Sequence, residues 1–184
     1  MRMDDEQLLQ RAREFDTQVL AEIYDAYSPG LYNYALRLLS EPFLAEDCVA
    51  ETFHRLLIAL RNGKGPQQDL KPYLYRIAHN WIMDFYRRRP IPALPLDEAM
   101  LPAVGDGVET EMAQRQLQER ARAALLRLTP EQRQVVMLKF YEGWDNEEIA
   151  ASLQKPVGAV KSLQHRALEA LRRILAQEED KNHG

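Results

Sequence analysis

The stretch DNEEIAASLQKPVGAVKSLQHRALEALRR, Asp145 to Arg173, decides the fold. Asp145, with Glu148 three residues on, offers an N-terminal cap for a short helix ending at Leu153. Gln154 to Pro156 forms a turn, and a long second helix follows to about Leu175. Ile149, Ala150 and Leu153 on the first helix face Val160, Ala167, Leu168 and Leu171 on the second, the apolar surfaces a close crossing needs. The unit reads as a helix-turn-helix. Lys161, Ser162, His165 and Arg166 are left to project outward, toward a major groove or its phosphates. A plain helical hairpin with a solvated basic face has the same pattern, so this stretch alone leaves both readings open.

Upstream, a helix from about Glu111 to Leu128 precedes TPEQ, where Thr129 suits an N-cap, Pro130 the first helical position and Gln132 a capping box. Gly143 ends the helix so begun. Between Pro90 and Gly107 lie four prolines and two glycines, a density that rules out a continuous helix and marks a linker. In the first half, Leu20, Ile23, Tyr24 and Tyr27 keep helical spacing, SPG at Ser28 to Gly30 interrupts it, and Leu31, Tyr34, Ala35 and Leu38 resume it. A third helix carries Ala45, Cys48, Val49, Thr52, Leu56 and Ala59 as its apolar stripe. RNGKGP, Arg61 to Pro66, is a loop, and a fourth helix runs from about Pro72 to Arg89. Strand alternation is absent. The expected fold is all-α: two small helical domains joined by an acidic Pro/Gly-rich linker. The expected divisions are an extension over 1–18, a first domain over 19–89, a linker over 90–112, a helix-turn-helix domain over 113–177 and a tail over 178–184.

The 184 residues carry a formal net charge of -4, unlike a free-standing DNA binder. The total hides a pattern. Lys71 to Arg89 holds five basic residues against Asp84, and Lys155 to Arg173 holds five against Glu169, each a balance of +4. Pro90 to Met112 holds five acidic residues and no basic one. Cys48 is the single cysteine, so no internal disulfide forms, and no zinc spacing occurs. Glu51 and His54 make one E-x-x-H, but a di-iron bundle needs two such motifs and two further glutamates. No phosphate loop or nucleophile elbow is present, so neither an enzyme, a metal nor a cofactor is expected. No apolar run approaches the roughly 20 residues of a membrane span, and MRMDDEQLLQ is not a signal peptide. A cytoplasmic protein without membrane insertion is expected.

KPYLYRIAHNWIMDFYRRR, Lys71 to Arg89, alternates aromatics with basic and amide groups along one helix. Aromatic faces stack on unpaired bases while Arg and Lys hold the backbone. Tyr75, Arg76, His79, Asn80 and Arg87 fall near one face by spacings of three and four. The competing reading makes Tyr73, Ile77, Trp81 and Phe85 core and leaves the arginines to the helix dipole.

In order and spacing, the two halves resemble the extracytoplasmic-function class of bacterial sigma factors. LAEIYDAYSPGLYNYALRLL, AEDCVAETF and DLKPYLYRIAHNWIMDFYRRR are similar to successive helices of sigma region 2, and LLRLTPEQRQVVMLKFYEGW with the helix-turn-helix is similar to region 4. The resemblance covers roughly residues 19–89 and 115–175. It implies that the chain binds core RNA polymerase and directs it to promoter DNA. Asp47, Glu51 and Phe53 are the implied polymerase contacts. Lys71, Tyr75, Arg76, His79, Asn80, Arg87 and Arg88, with the loop Asn62 to Lys71, are implied to engage the melted minus-10 element. Lys155, Lys161, Ser162, Gln164, His165 and Arg166 are implied to read the duplex minus-35 element. Ala50 stands where the family usually has Gln, Leu163 where it often has Arg, and Gln164 where it often has an apolar residue.

The resemblance also accounts for the charge. A reader tethered to a polymerase that already holds DNA binds effectively within one complex, so high free affinity is unnecessary. The linker carboxylates are implied to mimic phosphates in a polymerase channel; an acidic solvated spacer is the alternative. The tail after Leu175 is short and hydrophilic, so control in trans by an anti-sigma factor is expected. The competing function is a self-sufficient helix-turn-helix regulator, which would bind duplex DNA alone.

Overall fold

A computed structural model describes residues 5–89 and 106–182, and all regular structure among them is helical. The first half comprises α1 (Asp5–Arg13), α2 (Thr17–Leu39), α3 (Pro42–Arg61) and α4 (Leu70–Arg88). The second comprises α5 (Asp106–Leu126), α6 (Pro130–Val136), a π-helical turn (Met137–Tyr141), α7 (Asn146–Leu153) and α8 (Val157–Asn182). The all-α architecture in two helical clusters is the expected one. Most of the expected linker, residues 90–105, lies outside the described residues. No described helix is long and apolar enough to cross a membrane.

Side chains set the helix starts. Asp16 Oδ1 accepts from the backbone N–H groups of Gln18 and Val19 at 3.0 and 3.3 Å, while Arg11 Nε donates to its other oxygen at 3.0 Å. Before α3 the Glu41 carboxylate accepts from Phe43 and Leu44, with Pro42 in the first turn, where its missing N–H costs nothing. Both expected capping boxes form: Thr129 with Gln132, and Asp145 with Glu148. Gln154 takes a left-handed conformation at φ 55° and closes α7, making the turn of the helix-turn-helix.

Four details differ from expectation. Ser28-Pro29-Gly30 does not break α2, which runs through Pro29. Val19 and Ile23 before it, and Leu31, Tyr34, Ala35 and Leu38 after it, bury on one continuous face, and that burial outweighs the roughly 3 kcal/mol an internal proline costs. α5 begins at Asp106, inside the stretch expected to be linker, because after Gly107 the Glu-, Gln-, Ala- and Arg-rich sequence favours helix. α8 continues to Asn182, through the expected tail, since no glycine or proline stops it earlier. On α8, Leu163 rather than Leu168 joins the core stripe with Val160, Ala167 and Ile174.

The two clusters share one continuous apolar core. α7 lies against α4, and α6 reaches α4 through polar bridges. His79 of α4 is 2% exposed and uses both ring nitrogens: Nε2–H donates to Pro130 O at 3.0 Å, and Nδ1 accepts from Tyr34 Oη–H at 2.6 Å. The Pro130 carbonyl can only accept, and that fixes the tautomer. Burial, reinforced by the Arg133 guanidinium, depresses the His79 pKa to about 3. Arg133 itself is buried; it donates to the carbonyls of Leu125, Leu126 and Leu128 at 2.7, 2.7 and 2.9 Å and contacts Met83 Sδ of α4. One guanidinium thus closes the C-terminal end of α5 and touches the first half.

Two consequences are measurable. A Cβ on Gly30 would lie 2.6 Å from Tyr75 Oη but 3.8 Å from the nearest ring carbon. In an open helix Gly→Ala gains about 1 kcal/mol, whereas forced overpacking costs about 1–3 kcal/mol. Gly30→Ala is therefore expected to destabilise the wild-type chain and to stabilise a Tyr75→Phe chain, a change of sign that denaturant unfolding of the wild type, the two single variants and the double variant checks.

The second concerns pH. His79 is folded neutral with its pKa below the ordinary value, so its contribution is complete above about pH 6.5 and falls as pH drops from there toward 3. Between pH 7.5 and 5 the chain is expected to lose about 2 kcal/mol by this route. Unfolding of a His79→Gln variant should show a shallower slope over the same window; an equal slope would assign the acid sensitivity elsewhere.

Candidate nucleic-acid interface

α4 buries Leu74, Tyr75, Ala78, His79, Ile82 and Met83. The face expected to meet DNA is therefore split. Tyr75 is 4% exposed; its hydroxyl donates to Glu142 at 3.2 Å and its ring meets Trp144 edge-on at 4.9 Å. With His79 it lies inside the contact between the halves. Lys71 is half-buried, 3.4 Å from Glu148 and 4.5 Å above the Trp144 ring. Arg76 is half-buried, with its guanidinium 5.5 Å from the Tyr73 ring. Asn80, Arg87 and Arg88 are exposed, and Arg87 pairs with Asp84 at 3.3 Å.

The three aromatics that the competing sequence reading placed in the core pack against its edge. Tyr73, Trp81 and Phe85 are all half-buried, and Trp81 and Phe85 stack at 5.9 Å with an interplanar angle of 15°. Together with Arg76, Asn80 and Arg88 they make a strip of π-faces interleaved with donors, the pattern that grips unpaired bases. Their four-residue spacing was the available signal. It reports a shared face and leaves open how deeply that face is buried.

The loop before α4 is tied down. Gly63 adopts φ 67°, Lys64 N donates to Ala59 O at 2.8 Å, and Arg13 of α1 donates to Pro66 O at 3.0 Å. The loop keeps Asn62, Lys64, Gln67 and Gln68 exposed.

On α3, Asp47 is exposed and Glu51 partly so. Arg55 donates to Glu51 at 2.8 Å, and that bond holds its carboxyl below the usual range. His54 lies 3.6 Å from the same carboxylate. A shallow groove joins these carboxylates to Ala50 and Trp81. Phe53 points inward, packing on Tyr24 at 4.8 Å between ring centroids, so its contribution is to the shape of α3 rather than its outer surface.

On α8, Lys161, Ser162, His165 and Arg166 share one exposed face. His165 lies 3.3 Å from Glu169, and the Ser162 hydroxyl donates to Gly158 O at 3.2 Å. Gln164 is half-buried and donates to Asn146 Oδ1 at 2.8 Å, which ties α8 to the start of α7. Leu163 is a core residue. Lys155, in the turn, pairs with Glu131 at 3.1 Å.

Comparison with known proteins agrees with this division. The family model of sigma-70 region 2 matches residues 23–90, and that of sigma-70 region 4 matches residues 118–171. The chain is 31% identical over 173 residues to the ECF RNA polymerase sigma factor BldN of Streptomyces coelicolor; the match covers 92% of this chain and 65% of that relative, less than two thirds of its length. It is 30% identical over 167 residues to the ECF RNA polymerase sigma factor SigL of Mycobacterium tuberculosis, covering 88% of this chain and 92% of that one. Its fold matches that of CnrH, solved in complex with the cytosolic domain of CnrY, with a TM-score of 0.68 at 23% identity over 94% of this chain and 97% of the other. The two capped helical units and the two region matches, in the same order, agree with the near full-length likeness to SigL: the chain belongs to the extracytoplasmic-function class of RNA polymerase sigma factors.

Proposed function

We propose that the chain binds core RNA polymerase through the outer face of α3, reads duplex minus-35 DNA through α8, and takes up the unpaired minus-10 strand on α4 and the loop before it, promoting promoter melting. Asp47 and Glu51 supply the polymerase contacts. Lys161, Ser162, Gln164, His165 and Arg166 supply the duplex reader, with Lys155 beside it. Tyr73, Arg76, Asn80, Trp81, Phe85, Arg87 and Arg88 supply the strand-binding strip, and Lys71, Tyr75 and His79 join it when the second half moves away. An anti-sigma factor is the third proposed partner, as many members of the class are held by one and CnrH was solved with the cytosolic domain of CnrY.

The observation that supports this reading most is the aromatic and basic strip on α4, separate from the helix-turn-helix. A regulator that binds only duplex has no use for a stacking platform. The net charge of -4 points the same way, because phosphate neutralisation dominates free binding and this chain gains little from it.

Run-off transcription with core polymerase on genomic promoter fragments, including the one upstream of its own gene, tests the reading. Transcripts are expected only with the protein present. Asn80→Ala with Arg87→Ala should abolish them, while Asp47→Ala with Glu51→Ala should weaken co-purification with core polymerase by roughly tenfold. Absence of transcripts together with nanomolar binding of duplex by the chain alone would instead identify a self-sufficient regulator.

A further inference from the structure

The loop between α3 and α4 is exposed along most of its length, yet its backbone is fixed at both ends and in the middle. Gly63 N and Lys64 N donate to the carbonyls of Leu60 and Ala59 at 3.1 and 2.8 Å, which closes α3 over the left-handed Gly63. Gly65 then passes Leu60 so closely that a Cβ there would lie 2.8 Å from Leu60 Cδ2. Pro66 and Leu70 are buried. Asn62, Lys64, Gln67 and Gln68 stay exposed around these fixed points.

The middle point is set from outside the loop. Arg13 Nη2 donates to Pro66 O at 3.0 Å. α1 can carry that bond because it is itself seated: Leu9 and Ala12 are buried, and Arg11 Nε donates to Asp16 Oδ2 at 3.0 Å just past the helix end. The carbonyl of Pro66 belongs to the planar peptide that joins it to Gln67. Holding that oxygen therefore fixes the plane from which Gln67 and Gln68 leave the loop.

Amides and cations do different things at a nucleic acid. Lys and Arg hold phosphates whatever the sequence, whereas Asn and Gln read base edges through a paired donor and acceptor. α4 carries the cations of the strand-binding strip, and the loop carries the amides of Asn62, Gln67 and Gln68. A phosphate contact survives a small displacement; a paired amide contact does not. The loop is only as selective as its amides are well placed.

We propose that Arg13 is a positioning residue for base selection: from α1 it sets the Pro66–Gln67 peptide, and through it the amides that meet an unpaired base, while the α4 cations set how tightly the strand is held. This rests on the reading that the loop takes up part of the minus-10 strand. Arg13 itself touches no DNA.

The test uses the full chain assembled with core polymerase. The probe is a DNA fork whose unpaired strand is randomised. Sequencing what the holoenzyme retains gives a base preference at each unpaired position, and the amount retained gives the overall affinity. Arg13→Ala removes the bond, Arg13→Lys keeps a donor and the charge, and a chain with Asn62→Ala, Gln67→Ala and Gln68→Ala removes the proposed readers. Hydrogen exchange of the free chain reports whether residues 64–68 loosen.

In Arg13→Ala the loop is expected to exchange faster and the preference at one or more unpaired positions to fall about fivefold or more, the discrimination a well-placed amide supplies, with total retention within about twofold of wild type. Arg13→Lys is expected to keep most of that preference, and the triple-alanine chain to lose it at the same positions. Unchanged exchange or unchanged preference in Arg13→Ala overturns the proposal. So does a uniform loss of retention across all sequences, which would make Arg13 a phosphate contact. If the triple-alanine chain keeps the wild-type preferences, the loop reads no base, and the underlying assignment fails whatever Arg13 does to the loop's motion.

Discussion

One imidazole holds the two halves in register. His79 projects from α4, accepts a hydrogen bond from Tyr34 of α2 at one nitrogen and donates one to the first carbonyl of α6 at the other. A charged imidazole would have to shed its water with no anion to receive it, while Arg133 stands nearby. The neutral form is therefore the only one the site accommodates well. Arg133 makes the complementary choice: its charge is kept, and three backbone carbonyls satisfy it. A buried cation held by dipoles and a buried base held neutral lie at the same seam.

α4 has to satisfy two demands with one surface. Its inner stripe must seat against α2, α3 and the second half. Its outer strip presents Trp81 and Phe85 stacked on each other, which keeps large rings ordered at low entropic cost while leaving a face for a further ring. The acidic total of the chain is consistent with both demands. Basic groups are concentrated on α4 and α8, and Lys71 is already paired from within by Glu148.

The sequence made the helices and their caps legible because those are local matters: Thr129 with Gln132 and Asp145 with Glu148 announce helix starts without reference to anything distant. Facing was harder. Tyr73, Trp81 and Phe85 are more hydrophobic than His79, and spacing alone left open which set is buried. The structure buries His79 more deeply because Tyr34, Pro130 and Arg133, none within forty residues of it in the chain, surround the imidazole, while the three aromatics pack at the edge of the core. Leu163 and Leu168 exchanged roles for a similar reason, both lying near the edge of one stripe on α8. Pro29 misled in the other direction. A local rule against proline within helices yields when both flanks bury on one core. The π-helical turn at Met137 to Tyr141 had no sequence signal that distinguished it from ordinary helix.

The contact between Arg13 and Pro66 joins the first helix to the loop between α3 and α4 across 53 positions of sequence. A free loop must surrender its conformational entropy when it closes around anything, and that loss is subtracted from every contact it makes. Here part of the ordering has occurred during folding, at the expense of the stability of α1 rather than of later binding. Frayed or shortened, α1 would leave the loop's composition untouched and return to it the freedom that the Arg13 bond removes, so that any later ordering would cost more.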